Sequence, residues 1–558
     1  MKKQIIKKST IIGLLLIAIL SVSCEDFLIE ESKTDIPLSS FYKTESDART
    51  ATDAIYQALH NGTATSIYGR YWPVIDLGTD DLINRRQFEN WATHNMVATD
   101  DWLETNNQYQ GLFTGVSRAN DVLKYVPQVE MDEADKNAIL AEAHALRAFC
   151  YFQLVRTWGD MPLVINSITD ASDYNLPRSS VDEVYDQIII PDLLFAEENG
   201  WDTLHEGRLT KWSAKVILAD VYLTRAGWRR TSQGEKVQGD AANWALASAV
   251  AKDVIENSPN SLITEPYVNG EHTTPACGVP WIESMPFSVE SMFEIASTNF
   301  GGLGSYLSRE CVNRVNGRFY WGAGNNNTPL ADEGIDLTIV EMGWTGGTTN
   351  GGTLLVSPDL YSAFDEEGDE RRDWGILTRY TTSDGRTFLS QPQFRKYMDM
   401  DFFTDDGTGD VAFQRTNNNF ILYRYADALL IFAEAENEVN GPTTEAYAAI
   451  NEIRNRAGLP SLSGLSQDEF RTAILKERRL ELHAEVKRRF DLIRTDSFDE
   501  MEADLITVWS TEQGSATDII LNTNYGTHWP DHEWLLPIPQ SEMNLNSLND
   551  WYQNDGYN

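Results

Sequence analysis

Between Asp135 and Trp158 the chain reads DKNAILAEAHALRAFCYFQLVRTW. Ile139, Leu146, Cys150 and Leu154 recur near the 3.6-residue period of an α-helix. Ala141, Ala143, Ala145 and Ala148 stand between them. Small side chains let a neighbouring helix approach closely, so the segment predicts a helix tightly flanked by others. Gly159 and Pro162 then end it, because glycine suits the C-terminal position and proline cannot continue the hydrogen-bond ladder.

The same texture recurs on both sides. Residues from about 44 to 258 read as helix after helix, including PRSSVDEVYDQIIIPDLLFAEE, GRLTKWSAKVILADVYLTRAGW and DAANWALASAVAKDVIENS. Ser180 with Glu183, and Ser466 with Glu469, have the S-x-x-E spacing of a capping box. Ala145–Phe149 and Ala148–Phe152 make the A-x₃-F step of tetratricopeptide helices. The period is irregular, so a degenerate helical repeat is predicted rather than an open-ended solenoid. From about 260 to 420 helical periodicity fails, and Gly, Asn, Thr and aromatics dominate, as in NRVNGRFYWGAGNNNTP and EMGWTGGTTNGGT. A loop region of this length is uncommon unless it is functional. The predicted fold class is therefore mostly α: a tetratricopeptide-like helical-repeat scaffold with an irregular, loop-rich insert containing short strands.

The N-terminus carries Lys2, Lys3, Lys7 and Lys8, then the apolar run Ile11–Leu20. About 20 residues are needed to span a bilayer, so this reads as a signal peptide, residues 1–23. Leu20-Ser21-Val22-Ser23-Cys24 resembles a bacterial lipobox, with Ser21 where leucine is common. Cys24 is then the acylated N-terminus, and two or three chains anchor firmly at about 0.8 kcal/mol per buried CH₂. Glu25 and Asp26 resemble the surface-export signals of Bacteroidetes-type lipoproteins. Residues 24–40 are expected to form the lipidated Cys and leash. Residues 41–558 form one domain: scaffold 41–260 and 420–500, insert 260–420, and C-terminal extension 500–558.

The 558 residues have a net charge of −39, and losing the four leader lysines makes it −43. Such a surface repels nucleic acid, whose binding depends on neutralised phosphates. It also disfavours strongly acidic polysaccharides unless a local basic pocket overrides it. Besides Cys24, Cys150 is expected to be a small core residue; whether Cys277 and Cys311 pair is left open by sequence.

Four segments resemble the SusD/RagB family of outer-membrane nutrient-binding lipoproteins. They are LAEAHALRAFCYFQLVRTWGDMPLV (140–164), GRLTKWSAKVILADVYL (207–223), the run from RYADALLIFAEAENEV through INEIRNRAGLP to ILKERRLELHAEVKRRFDLIR, and WLLPIPQSEMNLN (534–546). The CEDFL start and Gly556-Tyr557 near the end agree. The resemblance covers the mature chain in order. It implies a protein that binds a nutrient, usually a glycan, at the cell exterior of the outer membrane and caps a SusC-like TonB-dependent transporter. Within ERRLELHAEVKRRFDLIR, a continuous helix would pair Glu485 with Arg489 at i,i+4. That charge pattern is read as structural rather than as an anion clamp.

Sugars present C–H faces edged by hydroxyls, so a glycan site needs exposed aromatic rings beside polar groups. Two stretches fit: IDLGTDDLINRRQFENWATHN, with Asp80, Asp81, Arg85, Phe88, Asn90 and Trp91, and NRVNGRFYWGAGNNN, with Arg318, Phe319, Tyr320, Trp321 and Asn325. Trp344, Arg372 and Tyr397 are further candidates. Trp, Tyr and Phe together number 60, so most must be core. No cofactor is expected. The oxygen-rich DMDFFTDDGTGD suits Ca²⁺ through Asp401, Asp405 and Asp406, but its spacing departs from an EF-hand and a solvated turn is the preferred reading.

The competing classes are a peptide-binding RagB-like protein, a surface glycoside hydrolase and a structural adaptor. A hydrolase needs two carboxylates about 5–9 Å apart, a test without power among 84 acids. The sequence contains no H-E-x-x-H, G-x-S-x-G or P-loop motif.

Overall fold

The computed structural model describes residues 41–60, 72–84, 89–99, 103–168, 176–204, 207–270, 272–298, 303–305, 307, 311, 354–381, 387–397, 417–505, 508–509, 519–520, 529–547 and 549–557. The main helices are α1 (Glu45–His60), α2 (Leu103–Tyr125), α3 (Glu133–Trp158), α4 (Ile190–Asn199), α5 (Lys211–Ala226), α6 (Ala242–Asn257), α7 (Tyr425–Asn440), α8 (Thr444–Arg456), α9 (Gln467–Glu481) and α10 (Arg488–Thr495). Each of α1 to α6 packs on the next, α6 packs on α7, and α7 packs on α8 and α9. This is the serial stacking of a helical repeat.

The alanine-rich segment forms α3. Asp132 caps it, its carboxylate accepting from the Ala134 and Asp135 amides at 2.9 and 3.2 Å. Ala141, Ala143, Ala145 and Ala148 are all at most 1% exposed, as are Phe149, Cys150, Tyr151 and Phe152. The helix is thus buried on nearly every face, which small residues permit. Gly115 of α2 meets it at Cys150: a Cβ at Gly115 would lie 2.8 Å from Sγ. Gly159 ends α3 at φ 80°, ψ −133°. Both S-x-x-E capping boxes form, at Ser180–Glu183 and Ser466–Glu469. Ahead of α4, a wide turn at Tyr185–Ile189 leads the helix into Pro191. Such a turn absorbs the hydrogen bond that proline cannot donate.

The strands relevant to the insert are β1 (Leu82–Asn84), β2 (Ser291–Ile295), β3 (Leu354–Val356), β4 (Ile376–Thr381), β5 (Thr387–Phe394) and β6 (Phe420–Arg424). Among the described residues all strands pair two by two. The antiparallel pair β2–β6 forms the neck of the insert, with Phe420 opposite Ile295 and Ile421 opposite Glu294. β6 runs directly into α7, so the insert departs after α6 and returns to the helix stacked on it. β1 pairs with β3, and β4 with β5. The 260–420 segment is less irregular than the sequence suggests: short helices occupy Pro358–Ala363 and Glu370–Gly375.

Ion pairs fasten the neck. The Arg424 guanidinium donates to Glu485 at 2.9 and 2.8 Å, to Glu290 at 2.8 Å and to Glu481 at 2.6 Å. Arg456 bridges the same Glu290 and Glu481. Arg371 joins Glu481 to Glu477 and Asp369, and Lys396 reaches Glu485 at 2.7 Å. Burial alone would raise the Glu481 carboxyl, but Arg456, Arg424 and Arg371 hold it well below its ordinary value.

One expectation is corrected here. α9 stops at Glu481 and α10 starts at Arg488, so Glu485 and Arg489 do not share a helix face. The intervening turn carries Ala484 at φ 64° and Val486 at φ 58°, a strained position for a β-branched residue. Tyr397 Oη donates to the Ala484 carbonyl at 2.6 Å, and Lys396 to the His483 carbonyl at 3.0 Å. The break aims Glu485 at Arg424 and frees Arg489, whose amide donates to Asp76. Cys150 is a buried core thiol as expected, and Cys277 and Cys311 are separate buried thiols with no disulfide between them.

Two outcomes test this account. Gly159→Ala would place a Cβ 2.6 Å from Ser232 Oγ and 2.9 Å from Leu535 Cδ1 at a left-handed φ; denaturant unfolding should show a loss above about 1 kcal/mol. Arg424→Met should cost about 3–5 kcal/mol by leaving buried carboxylates uncompensated. A loss under 1 kcal/mol for Arg424→Met would mean that the neck does not depend on this cation.

Candidate functional site

Asp76, Leu82, Cys311, Leu354, Phe394 and Tyr397 meet around a space of only about 10 Å³. That is at most one water, so the cluster is a packed floor rather than a pocket. Its importance lies in what departs from it. Asn84 ends β1 directly opposite Leu354, the first residue of β3. Cys311 and Leu354 flank residues 312–353, Asn84 precedes 85–88, and Tyr397 precedes 398–416. The described residues that flank the segments carrying most of the sequence-derived candidates, Asn84, Cys311, Leu354 and Tyr397, therefore meet at one packed base. Arg85, Arg318, Tyr320, Trp321 and Trp344 themselves lie outside the described residues, as do Cys24, Asp401, Asp405 and Asp406.

Six candidates lie within the described residues, Asp80, Asp81, Asn90, Trp91, Arg372 and Tyr397, and four are corrected: Asp80, Asp81, Trp91 and Tyr397 are buried. Asp81 is 3% exposed, its carboxylate held by Arg479 Nε at 2.6 Å. Its neighbour Asp80 takes a bidentate fork from Arg488, both contacts 2.7 Å, and a third from Arg479 at 3.0 Å. Burial would raise the Asp80 carboxyl, yet Arg479 and Arg488 outweigh it and hold it down to about 2. These acids anchor the turn before β1 to α9 and α10. Trp91 is 4% exposed and belongs to the core. Tyr397 is 1% exposed; its ring stacks on Phe420 at 5.8 Å and meets the edge of Trp281 at 5.5 Å. Asp80, Asp81 and Tyr397 are spent on the base, and Trp91 on the core. Arg372 is half-buried, with Nε on Asp373 Oδ1 at 2.9 Å and Nη1 on the Phe364 carbonyl at 3.3 Å.

Sequence reasoning passed over Arg395. It follows β5 directly, two residues before Tyr397, and its guanidinium lies 5.2 Å from the Trp374 ring centroid. Its Nε is buried without a hydrogen-bond partner, and burial pushes the guanidinium down to about 10. Trp374 itself packs on Gly278, where a Cβ would come within 2.5 Å of the ring. The available signal was QFRKY, a basic pair set between aromatics and ahead of the Asp-rich run.

The described residues thus form a helical-repeat scaffold with a packed floor at which the residues flanking the candidate-bearing segments meet. Two family models match: "SusD family" over residues 317–557 and "Starch-binding associating with outer membrane" over residues 33–223. The SusD-like protein P25 of Formosa agariphila is 27% identical over 554 residues, covering 94% of each chain. The crystal structure of a SusD homologue from Bacteroides thetaiotaomicron superposes with a TM-score of 0.72 at 23% identity, covering 94% of this chain and 99% of that one. A laminarin-binding SusD-like protein superposes with a TM-score of 0.66 at 24% identity, covering 92% and 100%. The chain belongs to the SusD/RagB family. Its SusD-like homologues are carbohydrate-binding proteins rather than enzymes, and the description of the model matched over residues 33–223 associates it with the outer membrane.

The floor carries a titratable group that gives a pH signature. Burial pushes the Asp76 carboxyl up to about 7, although its oxygen accepts from the Arg489 amide at 3.1 Å. Above its ordinary value of about 4 the unfolded chain ionises Asp76 while the folded chain keeps the proton. Stability from this group is therefore lost as pH rises from about 4 towards 7. Asp76→Asn keeps an acceptor for the amide and removes the ionisation. It should be more stable than the parent by at least about 1 kcal/mol at pH 8 and little changed at pH 4.5. Parallel stability–pH curves for the two proteins would refute this assignment.

Proposed function

We propose that the protein is a cell-surface lipoprotein that captures an oligo- or polysaccharide through the segments rooted on the floor. It delivers that glycan to a partner SusC-like TonB-dependent outer-membrane transporter. Residues 1–23 are removed as a leader, Cys24 carries the acyl chains, residues 24–40 form the leash, and 41–558 form the binding domain. The observation that carries this reading is that Asn84, Cys311, Leu354 and Tyr397, which flank segments 85–88, 312–353 and 398–416, come together at the floor. A rigid base under aromatic-bearing segments is what a glycan platform needs, since a site must be held by a packed supporting shell. The likeness to a laminarin-binding protein along almost its whole length supports the ligand class. Tyr320, Trp321 and Trp344 supply the ring faces, with Arg85, Arg318 and Arg372 as polar partners for hydroxyls.

The burial of Trp91 separates it by role from Trp321 and Trp344. Calorimetry against a panel of neutral glycans, beginning with laminarin oligosaccharides, should find saturable binding. Trp321→Ala should weaken it by about ten-fold or more with the melting temperature unchanged, the loss of about 1.4 kcal/mol typical of an aromatic contact. Trp91→Ala should instead lower the melting temperature. Absence of binding across the panel, with binding of oligopeptides in its place, would overturn the glycan reading in favour of peptide uptake.

A further inference from the structure

A second cavity, of about 330 Å³, opens among the repeat helices, and none of its lining residues belongs to the floor. Its volume is at the lower end of small-molecule sites and suits one or two sugar rings. Arg156, Arg225, Arg229 and Arg230 line it, with Tyr185, Trp228 and Phe490 as aromatic walls. Four arginines besides Arg494 stand around one cavity, alongside Asp182, Asp186 and Asp240, in a chain of net charge −39.

Their pairing differs from that of the structural arginines. Arg494, on the same wall, is locked to Glu434, and both side chains are at most 4% exposed. The others have loose or exposed partners. Arg225 pairs with Asp186 and Arg229 with Asp182, acids that are 63% and 54% exposed. Among the described residues Arg230 pairs with Asp555 at 3.2 Å and Asp531 at 3.4 Å, which are 48% and 72% exposed. Its Nε is buried with no partner. Arg156 gives Nε and Nη2 to Gln153 at 3.0 and 2.7 Å, and its one ion pair among the described residues is Asp220 at 3.6 Å. Exposed ion pairs are worth about 0–1 kcal/mol, so an incoming carboxylate displaces the rim acids at little cost. A guanidinium fork matches a planar carboxylate in two parallel hydrogen bonds. Thr224, Gln238 and Asn243 offer groups for hydroxyls, and the half-buried Trp228 ring offers an apolar face.

We propose that this cavity binds a carboxylate-bearing sugar, a uronic acid unit of a short acidic oligosaccharide, with Arg229 and Arg230 taking the carboxylate and Trp228 the ring. The overall negative charge repels long polyanions, whereas a short acidic saccharide meets a locally cationic wall.

The test is calorimetry on the full chain with digalacturonate, its dimethyl ester and the neutral digalactose, repeated with Arg229→Gln and Arg230→Gln. Melting temperatures are measured alongside. Saturable binding of digalacturonate, at least ten-fold tighter than the ester and weakened at least ten-fold by Arg229→Gln in a folded protein, is the expected result. Arg230→Gln provides an independent second reading. No binding at millimolar digalacturonate overturns the proposal. So does equal binding of the ester, or binding that both variants retain. Neutral-glycan binding at the Trp321 segment is read separately, so this site and the proposed function above fail independently.

Discussion

The insert leaves the scaffold after α6 and must return in register to begin α7, and the Arg424 guanidinium fixes that return. Arg424 is both the last residue of β6 and the capping position of α7. Its partners come from the residue before β2, the end of α9 and the turn after it. A one-residue slip of β6 would turn every side chain to the opposite face and strand Glu290, Glu481 and Glu485 without a cation. The backbone ladder alone would be a weak guarantee, because the β2–β6 pairing shifts register twice, at Ile421/Tyr423 and at Tyr423/Arg424. The electrostatic lock supplies the specificity that the bulged ladder lacks.

The same lock explains why the chain breaks between α9 and α10. A straight helix would spread the charges of ERRLELHAEVKRRFDLIR around one axis. The turn at 482–487 instead sorts them into three directions. Glu477, Glu481 and Glu485 face the neck cations. Arg479 and Arg488 face Asp80 and Asp81 under the floor. Arg478 and Arg494 face Asp491 and Glu434, which holds α7. One segment therefore couples the insert neck, the floor and the repeat stack, and the strained Ala484 and Val486 backbone is the geometric cost. Strain of this kind persists only where surrounding contacts over-determine it, and the bonds from Lys396 and Tyr397 do so here.

The scaffold was legible in the sequence because its signals are local. Alanine spacing, S-x-x-E caps and Gly159 each state a helix or its end within a few residues, and all of them appear in the structure. What could not be read was the direction in which polar and aromatic residues face. Asp81 and Tyr397 have the composition of a sugar site, yet they are buried because partners 398 and 87 residues away in the chain, Arg479 and Ala484, claim them. The i,i+4 expectation for Glu485 and Arg489 failed for the same reason: long-range partners outbid a surface pair worth about 0.2–0.5 kcal/mol.

Charge separates structural residues from ligand-facing ones more sharply than residue type does. At the neck and under the floor, cations and carboxylates are buried together, and Arg371, Arg424, Arg456, Arg479 and Arg488 each meet at least one buried carboxylate. Arg395 beside Trp374 and Arg230 at the helical cavity depart from this pattern, each with a buried Nε that the fold leaves unanswered. With a net charge of −39, long-range steering works against any anion, because such fields act over the whole surface and are screened by salt. An acidic ligand must then gain its affinity after contact, from a short-range fork, whereas a neutral glycan approaches without that barrier. The two proposed sites divide along this line: a floor that supports aromatic segments for neutral sugar faces, and a smaller cationic cavity that suits a single charged unit.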